Sequence, residues 1–353
     1  MRQGCPYGSH RVLEPVGSLP QAAWKVDHTR PIYDNEMLID VTTLNVDAAS
    51  FRQFKETAEA NVGAGKEKLE AEVGRLLMEV VNTRGKLQNP VTGSGGMLLG
   101  QVAELGEKVQ GRDGLKVGDR LATLVSLTLT PLAIDEIKAV RLDADQVDIT
   151  GHAIIFASGV VAPLTGDVGE RLALAVLDVA GAPAQTARLV QPGDTVFIVG
   201  GGGKSGMMCT AMAREAAGVT GNVISMGHSD ASCQRLAELD AADIILQGDA
   251  TNALETMRQL EAATGGEKAD VTINCVNIPD TEMTSILCTK PGGTIYFFSM
   301  ATSFTRAALG AEGVGSGATM IVGNGYAPGH ARVALNMLKT HAKLAEILTR
   351  MYL

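Results

Sequence analysis

Thr195-Val-Phe-Ile-Val-Gly-Gly-Gly-Gly-Lys-Ser-Gly206 reads as a short strand running into a glycine-rich turn and then into helix-forming residues. Val196–Val199 is apolar without alternation, the pattern of a strand covered on both faces. Gly201, Gly203 and Gly206 fit the spacing G-x-G-x-x-G. In that motif the first glycine allows a tight turn, the second lets backbone approach a pyrophosphate, and the third lets the helix pack on the strand. Amide N–H groups at the helix start, around Lys204 and Ser205, then face the anion. Gly203-Lys-Ser also resembles the end of a P-loop. That motif needs a glycine at position 198, which is Ile, so phosphoryl-transfer chemistry is disfavoured.

Downstream the same alternation continues. Val223–Met226, Asp243–Leu246, Val271–Val276, Thr294–Phe298 and Met320–Val322 are short apolar runs, with helical patterns such as Ser205–Ala217, Ala231–Leu239 and Thr251–Thr264 between them. Six strands joined by crossover helices make a doubly wound parallel sheet, whose ligand crevice lies at the carboxyl ends of the strands. Cys275-Val276-Asn277, Ser299-Met300-Ala301 and Gly323-Asn324 end strands four to six and are expected at a dinucleotide. An acid ending the second strand would read a free ribose 2′-hydroxyl. Here the sequence is Met226-Gly227-His228-Ser229-Asp230, with glycine near the expected position. A 2′-phosphate is then not repelled, and His228, Ser229 or Arg235 can contact it. Asp230 serves equally as the acid or as a helix cap. On residues alone the cofactor is NAD or NADP.

Upstream, Met37–Leu44, Gly96–Ala103, Asp119–Val125 and His152–Ala157 are strand-like and separated by Gly, Pro and Asp turns. Leu69, Val73, Leu76, Leu77 and Val80 repeat at helix spacing within a charged segment. The expectation is an α/β protein in three parts. Residues 1–170 form a mostly β domain with a helical insertion at about 55–85, and residues 171–326 the dinucleotide-binding domain, entered by a helix near Leu172–Leu189. Residues 327–353 form one amphipathic helix returning towards the first domain.

Composition removes other classes. The chain has 353 residues, 45% hydrophobic and 20% charged, enough apolar material for a buried core. Its 41 glycines suit many tight turns between strands and helices. With 30 basic against 39 acidic residues the net charge is −9, which argues against a nucleic-acid surface. The uncharged stretch Leu121–Ile134 is too short to cross a membrane and is interrupted by Pro131. Five scattered cysteines, Cys5, Cys209, Cys233, Cys275 and Cys288, read as reduced thiols of a cytoplasmic protein.

Several segments resemble the medium-chain dehydrogenase/reductases, in which a GroES-like domain precedes a Rossmann domain: Leu115–Ala122, Val190–Asp194 with the glycine turn, and Pro291–Ile295. Asn89–Met97, Thr128–Glu136, Leu177–Gln185, Tyr296–Phe304 and Ala308–Val314 are similar, more specifically, to a zinc-free branch, the L-erythro-3,5-diaminohexanoate dehydrogenases. The resemblance implies oxidative deamination of a small diamino acid at C3, NAD as cofactor, and a homodimer. Where it places the zinc ligands of other members, this chain has Asp47, Ser94-Gly95 and Val179. No metal is expected from that set.

An ammonium must lose a proton before hydride can leave its carbon, so the reaction needs a base, which later activates water against the imine. Asp178, an acid within the apolar run Leu172–Ala180, is the first candidate; a local ion pair with Arg188 is its structural reading. Asp47 is the second, with helix capping as its structural reading. Glu312, in a Gly-rich segment read as a loop, is the third. Ser94 and Thr92 can hydrogen-bond substrate, and Arg84, Lys86 or Arg306 can hold its carboxylate. The histidines form no constellation. Two rivals share these domains: a zinc-free quinone or enoyl reductase, and a non-enzymatic nucleotide sensor.

Overall fold

The computed structural model describes residues 1–164, 166–323 and 325–352. It divides into two compact units, Met1–Asp178 and Val179–Met351. The first contains β1 (Val12–Glu14), β2 (Lys25–Val26), β3 (Glu36–Val46), α1 (Ala48–Val62), α2 (Lys66–Arg84), β4 (Gly96–Leu105), β5 (Arg120–Thr123), β6 (Leu132–Arg141), β7 (Gln146–Phe156), β8 (Val161–Pro163) and α3 (Glu170–Leu177). The second contains α4 (Gly181–Leu189), β9 (Thr195–Val199), α5 (Lys204–Ala217), β10 (Asn222–Gly227), α6 (Asp230–Leu239), β11 (Ile244–Gln247), α7 (Ala253–Thr264), β12 (Ala269–Asn274), α8 (Glu282–Cys288), β13 (Thr289–Phe297), α9 (Phe304–Val314), β14 (Thr319–Val322), α10 (His330–Thr340) and α11 (Ala342–Tyr352).

The first unit is built on an antiparallel sheet, β6-β7-β3-β4-β5-β8. Its helical insertion is longer than expected and double: α1 and α2 meet at Gly63, whose φ of 73° turns the chain. Phe51, Phe54 and Ala58 of α1, with Leu69, Val73, Leu77 and Val81 of α2, sit at helical spacing and are buried in one core with Leu44, Leu98, Leu121 and Val147 of the sheet. The whole entry helix expected from Leu172 to Leu189 is also two. Pro183 lies in the first turn of α4 and cannot donate an N–H to the preceding turn, so the chain breaks between α3 and α4. Glu170 of α3 pairs with Arg120 of β5 at 2.6 Å, which ties α3 to the first unit.

The second unit carries the expected parallel sheet, ordered β11-β10-β9-β12-β13-β14. Both faces are covered: Val196, Ile198 and Val223 pack with Cys209 and Ala213, while Phe197, Val199 and Ile224 pack with Leu260 and Cys288. That explains the unbroken apolar runs. The strand order reverses between β9 and β12, the switch point at which such sheets bind ligands. The C-terminal segment is two helices where one was expected. Lys343 of α11 pairs with Asp240 at 2.7 Å, and Arg350 pairs with Glu238 of α6, so α11 lies on the second unit. Asn324, expected at a strand end, lies outside the described residues. No helix among the described residues is long and apolar enough to cross a membrane.

Candidate active site

Sheet register brings the strand ends of the second unit to one level. Cys275 N–H donates to Val199 O at 2.9 Å, Phe298 N–H to Asn274 O at 3.0 Å, and Gly323 N–H to Phe297 O at 2.7 Å. The expected cofactor residues after β9, β10, β12 and β13 therefore share one carboxyl edge. At its centre the turn begins with Gly200, whose φ of 82° is the one positive value in Gly200–Gly206. The tight turn is thus made one residue before the triplet read from the sequence. Gly201 follows, its N–H bound to Met226 O at 2.8 Å. A Cβ on Gly206 would lie 2.2 Å from Gly200 O, so helix and turn touch there; a Cβ on exposed Gly203 would find only Gly200 O, at 3.7 Å. Gly203 is the N-cap of α5 and, among the described residues, no side chain caps that helix end. Backbone amides at Lys204, Ser205 and Gly206, beside an open glycine face, fit a pyrophosphate. The residues present therefore suit a dinucleotide.

At the end of β10, a Cβ on Gly227 would meet Ser232 Oγ at 2.6 Å and Cys233 Sγ at 2.8 Å. Ser229 caps α6 reciprocally with Ser232, so its hydroxyl is already engaged. Asp230 is in the first helical turn and accepts from Gln247 Nε2 at 2.8 Å. His228 is exposed, with Nδ1 3.3 Å from Gly248 O, and Arg235 Nε donates to Gly202 O at 2.9 Å. Cys275 and Val276 are half-buried and Asn277 exposed. Ser299 Oγ accepts from Ala301 N–H at 3.1 Å, and Met300 between them is exposed.

In the first unit, Asp47 follows β3 and caps α1, accepting Ala49 N–H at 3.2 Å. Asp47 N–H donates to Gly95 O at 3.3 Å, which places the carboxylate's backbone beside the loop that precedes β4. That loop is shaped by Asn89: its Oδ1 accepts Val91 and Thr92 N–H groups, and its Nδ2 donates to Gln53 Oε1. The result is a group of three hydroxyls. Ser50 Oγ, buried in α1, lies 2.5 Å from Thr92 Oγ1 and 2.6 Å from Ser94 Oγ, with 3.2 Å between the latter two. Three hydroxyls have three hydrogens, so the ring can satisfy itself; Thr92 Oγ1 also accepts the Ser94 N–H at 3.3 Å, while Ser94 Oγ keeps a lone pair for a further donor. The sequence reading contained Thr92 and Ser94 but missed Ser50.

Asp178, the last residue of the first unit, closes α3 with its N–H on Leu174 O at 3.1 Å and is half-buried. Arg188 is exposed on α4. Glu312 belongs to helix α9, not to a loop, and is exposed. All three proposed carboxylate binders have partners of their own. Arg84 donates to Trp24 O and Gln88 O and stacks on the Trp24 ring at 4.2 Å; Lys86 is fully buried with Nζ 2.6 Å from Pro20 O. Arg306 is exposed and pairs with Asp280 at 2.5 Å. His10, His152 and His341 each have a structural partner: Glu36, the His28 carbonyl and Glu215.

Comparison with known proteins gives concordant results. Residues 10–165 match the family described as L-erythro-3,5-diaminohexanoate dehydrogenase N-terminal domain, and residues 206–340 match one described as zinc-binding dehydrogenase. Over 351 residues the chain is 52% identical to the L-erythro-3,5-diaminohexanoate dehydrogenase of Acetoanaerobium sticklandii, covering 99% of this chain and 100% of that one. It is 50% identical over 353 residues to the enzyme of the same name from Fusobacterium nucleatum, covering 100% of both. Among solved structures, an alcohol dehydrogenase from Thermotoga maritima is similar in fold, with TM-score 0.56, 17% identity, and 91% and 85% of the two chains covered. A mycobacterial protein complexed with NADPH gives 0.53 and 17%, covering 93% and 85%. The zinc implied by one family description finds no fitting donor set: no three or more His, Cys, Asp or Glu side chains among the described residues are grouped to hold a metal.

Proposed function

Because the chain belongs to the L-erythro-3,5-diaminohexanoate dehydrogenase family, we propose that it oxidatively deaminates L-erythro-3,5-diaminohexanoate at C3. The products are 5-amino-3-oxohexanoate, ammonium and reduced nicotinamide cofactor, a step of lysine fermentation. The observation that carries this reading is the 52% identity to a dehydrogenase of that name across 99% of the chain. The open amide terminus of α5 beside Gly203 supports it.

When bound, the nicotinamide supplies the hydride acceptor; Gly200–Gly206 would hold its pyrophosphate. The chain's residues do the rest. Asp47 or Asp178 takes the proton from the C3 ammonium, passes it to solvent, and after oxidation takes a proton from the water that hydrolyses the imine. Both carboxylates also attract the substrate's two ammonium groups. Ser94 and Thr92, their hydroxyls oriented by Ser50, hydrogen-bond the reacting nitrogen. Of the three cations considered for the substrate carboxylate, Arg306 alone is exposed. The family resemblance supports NAD. The glycine at position 227 adds that no carboxylate there repels a 2′-phosphate, so discrimination between NAD and NADP is weak. A cytoplasmic homodimer completes the reading; the dimer is supported by the edge position of β14, which among the described residues pairs only with β13.

The test is turnover with the purified chain. Reduction of NAD by 3,5-diaminohexanoate with ammonium release is expected, with kcat/KM for NAD and NADP within about tenfold, roughly 1.4 kcal/mol. Absence of ammonium release with either cofactor would refute the assignment.

A further inference from the structure

The thiols of Cys209 and Cys275 lie 3.8 Å apart. Cys209 is buried in α5, one helical turn after Ser205; Cys275 is half-buried directly after β12, its backbone against Gly200. The Cys209 thiol and then burial push the Cys275 thiol well above its ordinary range, while Ser205 opposes the shift. Such a pair resists one-point electrophiles, which need a thiolate. A single electropositive atom inserted between the two sulfurs meets the opposite situation: it replaces both protons and removes the repulsion between neighbouring thiolates. The spacing suits insertion. A tetrahedral d10 thiolate site with bonds of ~2.3 Å holds its sulfurs ~3.8 Å apart, and pyramidal trivalent arsenic, with its narrower S–As–S angle, holds them slightly closer, whereas a disulfide needs ~2.05 Å and would draw β12 and α5 together.

We propose that Cys209 and Cys275 form a dithiol site for bridging thiophiles, trivalent arsenicals and by the same chemistry soft d10 cations, whose occupation excludes the dinucleotide from the adjoining turn. With an organic arsenoxide, two S–H bonds and the As–O bonding break, two As–S bonds form, and the oxygen leaves with both protons as water. Arsenic keeps its oxidation state, so no oxidant or reductant is needed. The exclusion rests on the reading above that Gly200–Gly206 binds the cofactor; the trapping does not.

Native mass spectrometry of the folded chain with phenylarsine oxide tests this. One phenylarsenic group per chain is expected, with loss of water, removable by a dithiol but not by a monothiol. Cys209→Ser and Cys275→Ser should each lose it, and Cys275→Ala provides a second sulfur-free variant should a serine variant fail to fold. An adduct that survives in both positions' variants, or none in the native chain, overturns the proposal. Saturating NAD or NADP should slow uptake. Uptake that depends on both cysteines yet ignores saturating dinucleotide would uphold the trap and overturn the cofactor assignment to this turn.

Discussion

Asp47 caps α1 and stands beside the loop of Thr92 and Ser94, so its two possible roles can be separated by one substitution. Asparagine caps helices as well as aspartate does but takes no proton. Asp47→Asn is therefore expected to keep its melting temperature and dinucleotide affinity while deamination falls by about 10²–10⁴-fold, as for loss of a general base. If Asp178→Asn shows that loss instead, the base is Asp178; if both variants turn over normally, neither is. Ser50→Ala should lower kcat with dinucleotide affinity unchanged, because Thr92 and Ser94 lose their buried anchor. Ser50 could not be picked out in the sequence, since its partners are 42 and 44 positions away. Asp47 could be, because a strand followed by helix-forming residues announces a cap.

Glu36 gives the fold a pH dependence. Burial alone would raise its carboxyl, but hydrogen bonds from Arg11, His10 and the Tyr33 N–H outweigh burial and hold it at about 2. A carboxyl depressed in the folded state stabilises fully above its ordinary value of 4.5, and that contribution is lost as pH falls from there towards about 2. Acid denaturation should show this component. Glu36→Gln should remove it and cost about 3–5 kcal/mol at neutral pH, as breaking a buried pair does, read by urea denaturation.

At the scale of elements, the turn between β9 and α5 makes a paired prediction. Gly206→Ala places a Cβ against backbone, which cannot give way cheaply, so the variant should unfold at lower temperature. Gly203→Val points into open space, so the variant should melt normally and yet fail to bind dinucleotide in a fluorescence titration. Equal melting losses in both would refute this division of roles. The parallel strands were legible because burial on both faces leaves continuous apolar runs. β6 was not: as an edge strand with a solvated face, its Ala133–Arg141 stretch mixes Asp, Glu, Lys and Arg among apolar residues and lacks clean alternation. The helix breaks at Gly63 and before Pro183 escaped notice because apolar spacing continues across them.

For the whole molecule, the two units follow from a change of hydrophobic period along the chain, visible without coordinates. The candidate residues were less legible: in the first unit the hydroxyl group joins α1 to a loop far along the chain, and in the second the strand ends are levelled by register between distant segments. Among the described residues β14 pairs only with β13, leaving one row of its backbone groups unmatched there, and Val322, Phe304 and Leu309 are 66, 77 and 62% exposed. An edge strand pairing antiparallel with its own copy is self-complementary, as a two-fold dimer requires. Sedimentation equilibrium should give a dimer, and Val322→Lys should dissociate it; a native monomer would refute that arrangement.

The crowding around Gly227 limits how this lineage can evolve. Any residue larger than glycine would press on the opening turn of α6, so the simplest mutational route to a strict preference for one dinucleotide is sterically blocked. Descendants seeking such a preference must first shift that helix, or recruit an exposed neighbour such as His228 to the task.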